Sequence, residues 1–251
     1  NIFATQCRRH FIFQTMNFTR SNNLNFKSAI SYYFDTSSTV PNIFSTTELI
    51  QIGKFNNAIT KNNISYWDVT AVVNMTNAFL NRDTFNVDIN GWDVSSVTNM
   101  SGMFSGCLNF NQSLSRWDVS SVENMSNMFY NCTSFNQPLN LWNVSKVTNF
   151  YSMFGGCSEF NQDINSWVIC DTSGSAVSMN SMFLNCFIFD SPLDNWNVSK
   201  VTTTESMFYG CSSFNQDLLM WEVGNVTNMN SMFSTTDTFD KPLNNWDVSK
   251  V

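Results

Sequence analysis

Seven cysteines, a single histidine and a spaced series of aspartates are the residues of this chain whose types could carry chemistry. Cys107, Cys132, Cys157, Cys186 and Cys211 each stand ten residues before a tryptophan. Equal spacing puts them in one column of a repeating structure, with their side chains parallel and pointing inward, which is poor geometry for a disulfide. They are expected to be small buried thiols. No Cys-x-x-Cys occurs and one Cys per repeat does not make a zinc site, so no metal centre is predicted. Cys7 and Cys170 fall outside the column. His10, beside Arg8 and Arg9, is the only histidine; alone it supports neither a nucleophile–base–acid triad nor a histidine metal site. Phosphate-cradling glycine motifs and the Gly-x-Ser-x-Gly elbow do not occur. The chain is therefore predicted to be no enzyme and to need no cofactor.

The acids offer a different possibility. Asp68, Asp93 and Asp118 follow successive tryptophans, and Asn143, Asn197, Glu222 and Asp247 take the same slot in other copies. Stacked like charges repel unless a cation or a basic group sits over them. Two readings stand: a hydrated acidic edge, or a strip that docks weak Ca²⁺ or a partner's Lys and Arg. Charge is uneven elsewhere too. Of 12 basic residues, Arg8, Arg9, Arg20 and Lys27 fall in the first 34 positions, which hold no acid, whereas all 19 acids lie beyond. The basic front is a candidate contact with an acidic protein partner. An acidic body is repelled by phosphate, so nucleic acid is not expected as a partner.

What positions these residues is a repeat. Trp67, Trp92, Trp117, Trp142, Trp167, Trp196, Trp221 and Trp246 are all the tryptophans, spaced by 25 residues with one step of 29. A unit this short cannot bury its own core and must stack on copies of itself. Within one copy, Val97, Met100, Met103, Phe104 and Cys107 recur at helical spacing, with Thr98 or Asn99 as a candidate N-cap. Trp117-Asp118-Val119 alternates as a short strand does. The spacing Leu114-x-x-Trp117-x-Val119 is that of a leucine-rich-repeat strand. The expected fold is an α/β repeat, a leucine-rich-repeat-like solenoid with short parallel strands on one face, centred on the tryptophans, and short helical turns on the other. Asn86, Asn111, Asn136, Asn161 and Asn215, with Asp190 and Asp240 in the same slot, predict a side-chain ladder along the stack. Residues 1–63 are expected to form an N-terminal cap and residues 64–251 the solenoid.

The string from Val97 to Ser120, V-T-N-M-x-x-M-F-x-x-C-x-x-F-N-Q-x-L-x-x-W-D-V-S, resembles the repeat of the BspA-like leucine-rich-repeat surface proteins, over about three quarters of the chain. That resemblance implies a cell-surface or secreted protein that binds or adheres, and it brings no catalytic residues.

Departures from the pattern mark what is particular to this chain. Four extra residues fall within Asp171 to Ser175, a bulge on one rim that adds Asp171 to the candidate interaction surface, and Thr204 stands where other copies carry Met. Because Val251 occupies the first apolar slot of a further copy, the polypeptide is expected to continue, or a neighbouring chain to cover that end. No apolar run approaches the length of a membrane span. The functional expectation is a repeat scaffold for protein–protein interaction or adhesion at a cell surface or outside the cell. The alternative is an architectural or cement subunit of a large assembly such as a virion shell.

Overall fold

The computed structural model describes residues 23–34, 64–169 and 175–251. Among these residues one α-helix forms, α1 (Asn23–Phe34), with no acid in its first turn and no base in its last. Packing holds it. Phe26, Ala29 and Ile30 are buried, with Tyr33 and Phe34 partly so, on a single stripe at i, i+3, i+4, i+7 and i+8. Phe26 meets Trp92 edge-on at 6.0 Å, Tyr33 meets Trp67 at 6.0 Å, and Phe34 meets Phe79 at 6.2 Å. The Arg82 guanidinium lies 4.4 Å from the centre of the Phe34 ring, over its face. The helix thus covers the rings of the first two repeats.

From residue 64 onward the fold is a repeat in which each 25-residue unit hydrogen-bonds to the next. In the unit starting at Val97, Met100 N donates to Asn124 O (2.9 Å), Gly102 N to Ser126 O (2.8 Å), Phe104 N to Met128 O (2.9 Å) and Gly106 N to Tyr130 O (2.7 Å). Parallel bridges pair Asn74 with Asn99, Asn99 with Asn124, Asn124 with Asn149, and Asn149 with Ser178. Two short strands, β1 (Val177–Ser178) and β2 (Val201–Thr203), form one parallel pair, and Thr203 continues to Asn228.

This ladder corrects the expected placement of strands and helices. The pairing lies on the segment whose spacing suggested a helix. There the backbone makes successive three-residue turns instead, Met103 N to Met100 O, Ser105 N to Gly102 O, and Cys107 N to Phe104 O. Gly102 and Gly106 have φ of 62° and 75°, and Asn77, Asn81, Asn127 and Asn131 match them in neighbouring units. A left-handed residue at every fourth position breaks an α-helix, yet the two kinds of backbone place side chains at a similar three-to-four spacing. Asn99 is no helix cap, since its Oδ1 accepts from Ser101 N at 2.9 Å within a turn. Around the tryptophans from Trp92 onward no strand forms. Trp117 N bonds back to Leu114 O and Val122 N to Val119 O, so the chain turns twice there. The cross-unit bond comes from the indole: Trp117 Nε1 donates to Ile89 O at 3.1 Å, and Trp92, Trp142, Trp167, Trp196, Trp221 and Trp246 do the same one unit apart.

Inside, identical side chains stack in files. Phe104 lies 5.6 Å from Phe129, Phe129 5.7 Å from Phe154, and Phe154 5.7 Å from Phe183. The rings of Trp117 and Trp142 are 6.5 Å apart and nearly parallel. The stack passes the extra residues unbroken, for Trp167 and Trp196 are 6.2 Å apart. The chain recovers its register with a shift between Val177 and Ser178, which pair with Val201 and Thr203. Among the described residues one ion pair is formed, Lys241–Asp240 at 3.9 Å, so apolar packing and the ladders hold the fold.

Candidate interaction surface

The aspartates after the tryptophans sit in turns that use them locally. Asp68 Oδ1 accepts from Thr70 N (3.1 Å) and Thr70 Oγ1 (2.7 Å), and Asp93 Oδ1 from Ser95 N (3.1 Å) and Ser95 Oγ (2.6 Å). Asp118 accepts from Ser120 N, Asn143 from Ser145 N, Asn197 from Ser199 N and Asp247 from Ser249 N, at 3.0 to 3.1 Å. A short side chain bonding the amide two residues on is the Asx turn, and Asn does it as well as Asp. Bonds from Ser120, with Lys146 nearby, hold the Asp118 carboxyl below its ordinary range; Ser249 and Lys250 do the same for Asp247. Glu222 is exposed in the same slot, and so is Val168. Position brings these residues into one file, while the carboxylates of Asp68, Asp93, Asp118 and Asp247 each close their own turn. Among the described residues no group of three or more His, Cys, Asp or Glu could hold a metal ion. Asp171, Arg8, Arg9 and Arg20, with Cys7, His10 and Cys170, lie outside the described residues.

The thiol file is buried and unbridged. Each sulfur donates to the phenylalanine carbonyl of the preceding unit, Cys107 to Phe79 O at 3.0 Å and Cys132 to Phe104 O at 2.9 Å. Thr236 takes over this role with its hydroxyl, bonded to Phe208 O at 2.6 Å. Burial pushes the Cys107 and Cys211 thiols up to about 12 and the three between them well above their usual value. Such thiols are poor nucleophiles and poor metal ligands.

The asparagine ladder runs beside them. Asn86 Oδ1 accepts from Asn111 N and Gln112 Nε2, both at 3.0 Å, and Asn111 Oδ1 does the same for Asn136 and Gln137. Asp190 substitutes for Asn without a change of partners, accepting from Asn215 N (2.8 Å) and Gln216 Nε2 (2.9 Å).

Sequence reasoning missed the outward positions of the backbone ladder. One file reads Thr76, Ser101, Ser126, Tyr151, Asn180 and Glu205, of which Ser126 is buried with its hydroxyl 2.8 Å from that of Ser101, and another includes Leu80, Tyr130, Leu184 and Tyr209. Leu80 and Tyr151 are 41% and 45% exposed, which for large side chains on a ladder leaves them open to a partner. No single residue type holds either file along its length. The inward files a residue away hold only Val, Met, Phe and Cys over most of their length. The signal that could have found them is this contrast between constant and changing positions of one period.

A chain built this way is a repeat protein. It belongs to the DUF285 family, whose model, described as a Mycoplasma protein of unknown function, matches residues 47–167 and 171–251. No curated protein and no solved structure matches it. Among the described residues no helix is long and apolar enough to cross a membrane.

Proposed function

We propose that this chain is a non-enzymatic solenoid, of the BspA-like leucine-rich-repeat kind, which mediates protein–protein interaction or adhesion at a cell surface. One observation carries this reading: the interior is uniform from unit to unit while the outward positions of the ladder vary, from Ser101 to Tyr151 to Glu205. A scaffold that keeps its core and changes its surface presents a long, specific face at little cost to stability. The partly exposed Tyr151, Tyr130 and Tyr209 on that face are of the type enriched at protein interfaces. α1 acts as the cap of the first unit. The aspartates after the tryptophans shape their turns, and the binding face lies on the ladder.

The test is a photo-crosslinker placed at Tyr151, compared with one at Asp93, in the protein exposed to intact cells and material of its source. Adducts of an external protein at 151 and few at 93 support adhesion through the ladder. Adducts only to subunits of a large assembly favour the architectural role, and equal labelling at both positions overturns the choice of face.

A further inference from the structure

The turn between Ile89 and Trp92 recurs in every unit, closed each time by the tryptophan N–H on the carbonyl three residues earlier: Trp92 N to Ile89 O at 3.0 Å, Trp142 N to Leu139 O at 3.0 Å, and Trp167 N to Ile164 O at 3.0 Å. Its two central residues differ from unit to unit. They are Asn90-Gly91, Ser115-Arg116, Asn140-Leu141 and Asn165-Ser166 in succession, so that asparagine is followed by glycine in one of them. Gly91 is exposed, and a Cβ added there would meet nothing within 4 Å. Its φ is not in the left-handed region, so the fold does not require glycine at this position. The Asn90 carboxamide reaches along the stack to the next unit, with Oδ1 accepting from Arg116 N at 3.0 Å, while Asn90 N donates to Asp88 Oδ1 at 2.9 Å. The Gly91 N–H has no hydrogen-bond partner in the turn.

We propose that Asn90-Gly91 is a self-modifying site, at which the neutral amide converts to a carboxylate without an enzyme. The step is an intramolecular acyl transfer. Gly91 N loses its proton to hydroxide and attacks Asn90 Cγ, the charge collecting on Oδ1, where the Arg116 N–H donates to it in the manner of a single oxyanion-hole group. Nδ2 takes a proton from water, which regenerates the hydroxide; the Cγ–Nδ2 bond then breaks, ammonia leaves, and a five-membered imide joins Asn90 to Gly91. Water opens the imide at Cγ to give aspartate, or at the main-chain carbonyl to give isoaspartate, in which the backbone runs through Cγ. Glycine permits the attack because no side chain shields its nitrogen and its backbone reaches the required geometry freely. Asn165 is the internal comparison: its Oδ1 accepts the equivalent bond from Asn195 N at 3.0 Å, and Ser166 follows it.

The consequences follow from the neighbours of the turn. Aspartate at 90 keeps an acceptor for Arg116 N and adds a negative charge to the edge that carries Asp88. Isoaspartate lengthens the main chain inside a turn that positions the buried Trp92 and presents Ile89 O to the Trp117 indole. The experiment is incubation of the purified chain in mildly alkaline buffer, with peptide mass mapping at intervals. The expected result is a growing fraction of the Asn90 peptide with NH₂ replaced by OH, at least tenfold above that of the Asn165 peptide, and its loss in the variant Gly91→Ala. That variant folds, since a methyl group has open space there. Asn90 that stays an amide, conversion equal to that at Asn165, or undiminished conversion in Gly91→Ala would each overturn the proposal.

Discussion

Replacing Asn136 by leucine should break one rung of the side-chain ladder and leave its neighbours in place. Asn136 Oδ1 accepts from Asn161 N at 3.1 Å and Gln162 Nε2 at 2.9 Å, while its own N–H goes to Asn111 Oδ1. Leucine has nearly the same shape and no acceptor, so two donors of the next unit lose their partner. A net hydrogen bond contributes about 0.5 to 1.5 kcal/mol, and both donors lie near the edge where water reaches them, so the expected loss is about 1 to 2 kcal/mol. The comparison is Asn136→Asp, which keeps the acceptor as Asp190 does in this same file; it should stay within about 0.5 kcal/mol of the parent. Urea denaturation followed by tryptophan fluorescence measures both, as a fall in midpoint at unchanged slope. Hydrogen exchange at the Asn161 amide should quicken in the leucine variant alone. If leucine costs nothing, or aspartate costs as much as leucine, the rung does not work through its acceptor.

Thr204 is 1% exposed where other units carry Met, and its hydroxyl has no partner, so Thr204→Met should raise stability by about 1 to 3 kcal/mol by removing a buried unpaired group and filling the file; a lower denaturation midpoint would show that the site has already collapsed. Gly106→Ala should destabilise by about 1 kcal/mol or more, because its φ is 75° and the new methyl would stand 2.4 Å from Asn81 Oδ1. Adding Asn81→Gly should return part of that loss, and a double-mutant cycle with no coupling would refute the contact. The thiols set an alkaline limit. Their folded pKa is raised from 9.0 to about 12 at Cys107 and Cys211, so the unfolded chain ionises first, and stability, intact below about pH 9, should fall until about pH 12. Denaturation midpoints that stay level across that window would contradict it.

The period, the inward files, the buried thiols and the asparagine ladder were all legible, because each follows from putting equal residues at equal places in a stack. Which part of the unit carries the ladder was not. Met100, Met103, Phe104 and Cys107 have a spacing that an α-helix and a run of tight turns share, and the deciding residues were the small polar ones between them. Asn77, Gly102 and Asn127, with Asn81, Gly106 and Asn131, are the types that tolerate positive φ, and their recurrence four apart is the mark of turns. Trp117-Asp118-Val119 alternates like a strand, but Ser120, two residues after the aspartate, signals an Asx turn instead. The outward files carried no motif at all, since what distinguishes them is variation.

One file of turn residues sets how the molecule can grow or shrink. Along the stack it reads Asn81, Gly106, Asn131, Gly156, Asn185, Gly210 and Thr235, all at positive φ. Each of these asparagines lays its Oδ1 where the next unit's glycine would have a Cβ, at 2.4 Å for Gly106, 2.2 Å for Gly156 and 2.3 Å for Gly210. The sterically self-consistent brick is therefore a pair of coils. Excising two neighbours sets Asn81 over Gly156 and restores the fit. Excising the Gly106 coil alone drives Asn81 Oδ1 into the Cβ of Asn131, whereas excising the Asn131 coil alone leaves glycine facing glycine and a gap. Arrays assembled or pruned in pairs should keep their seams closed, and odd numbers should leave a scar.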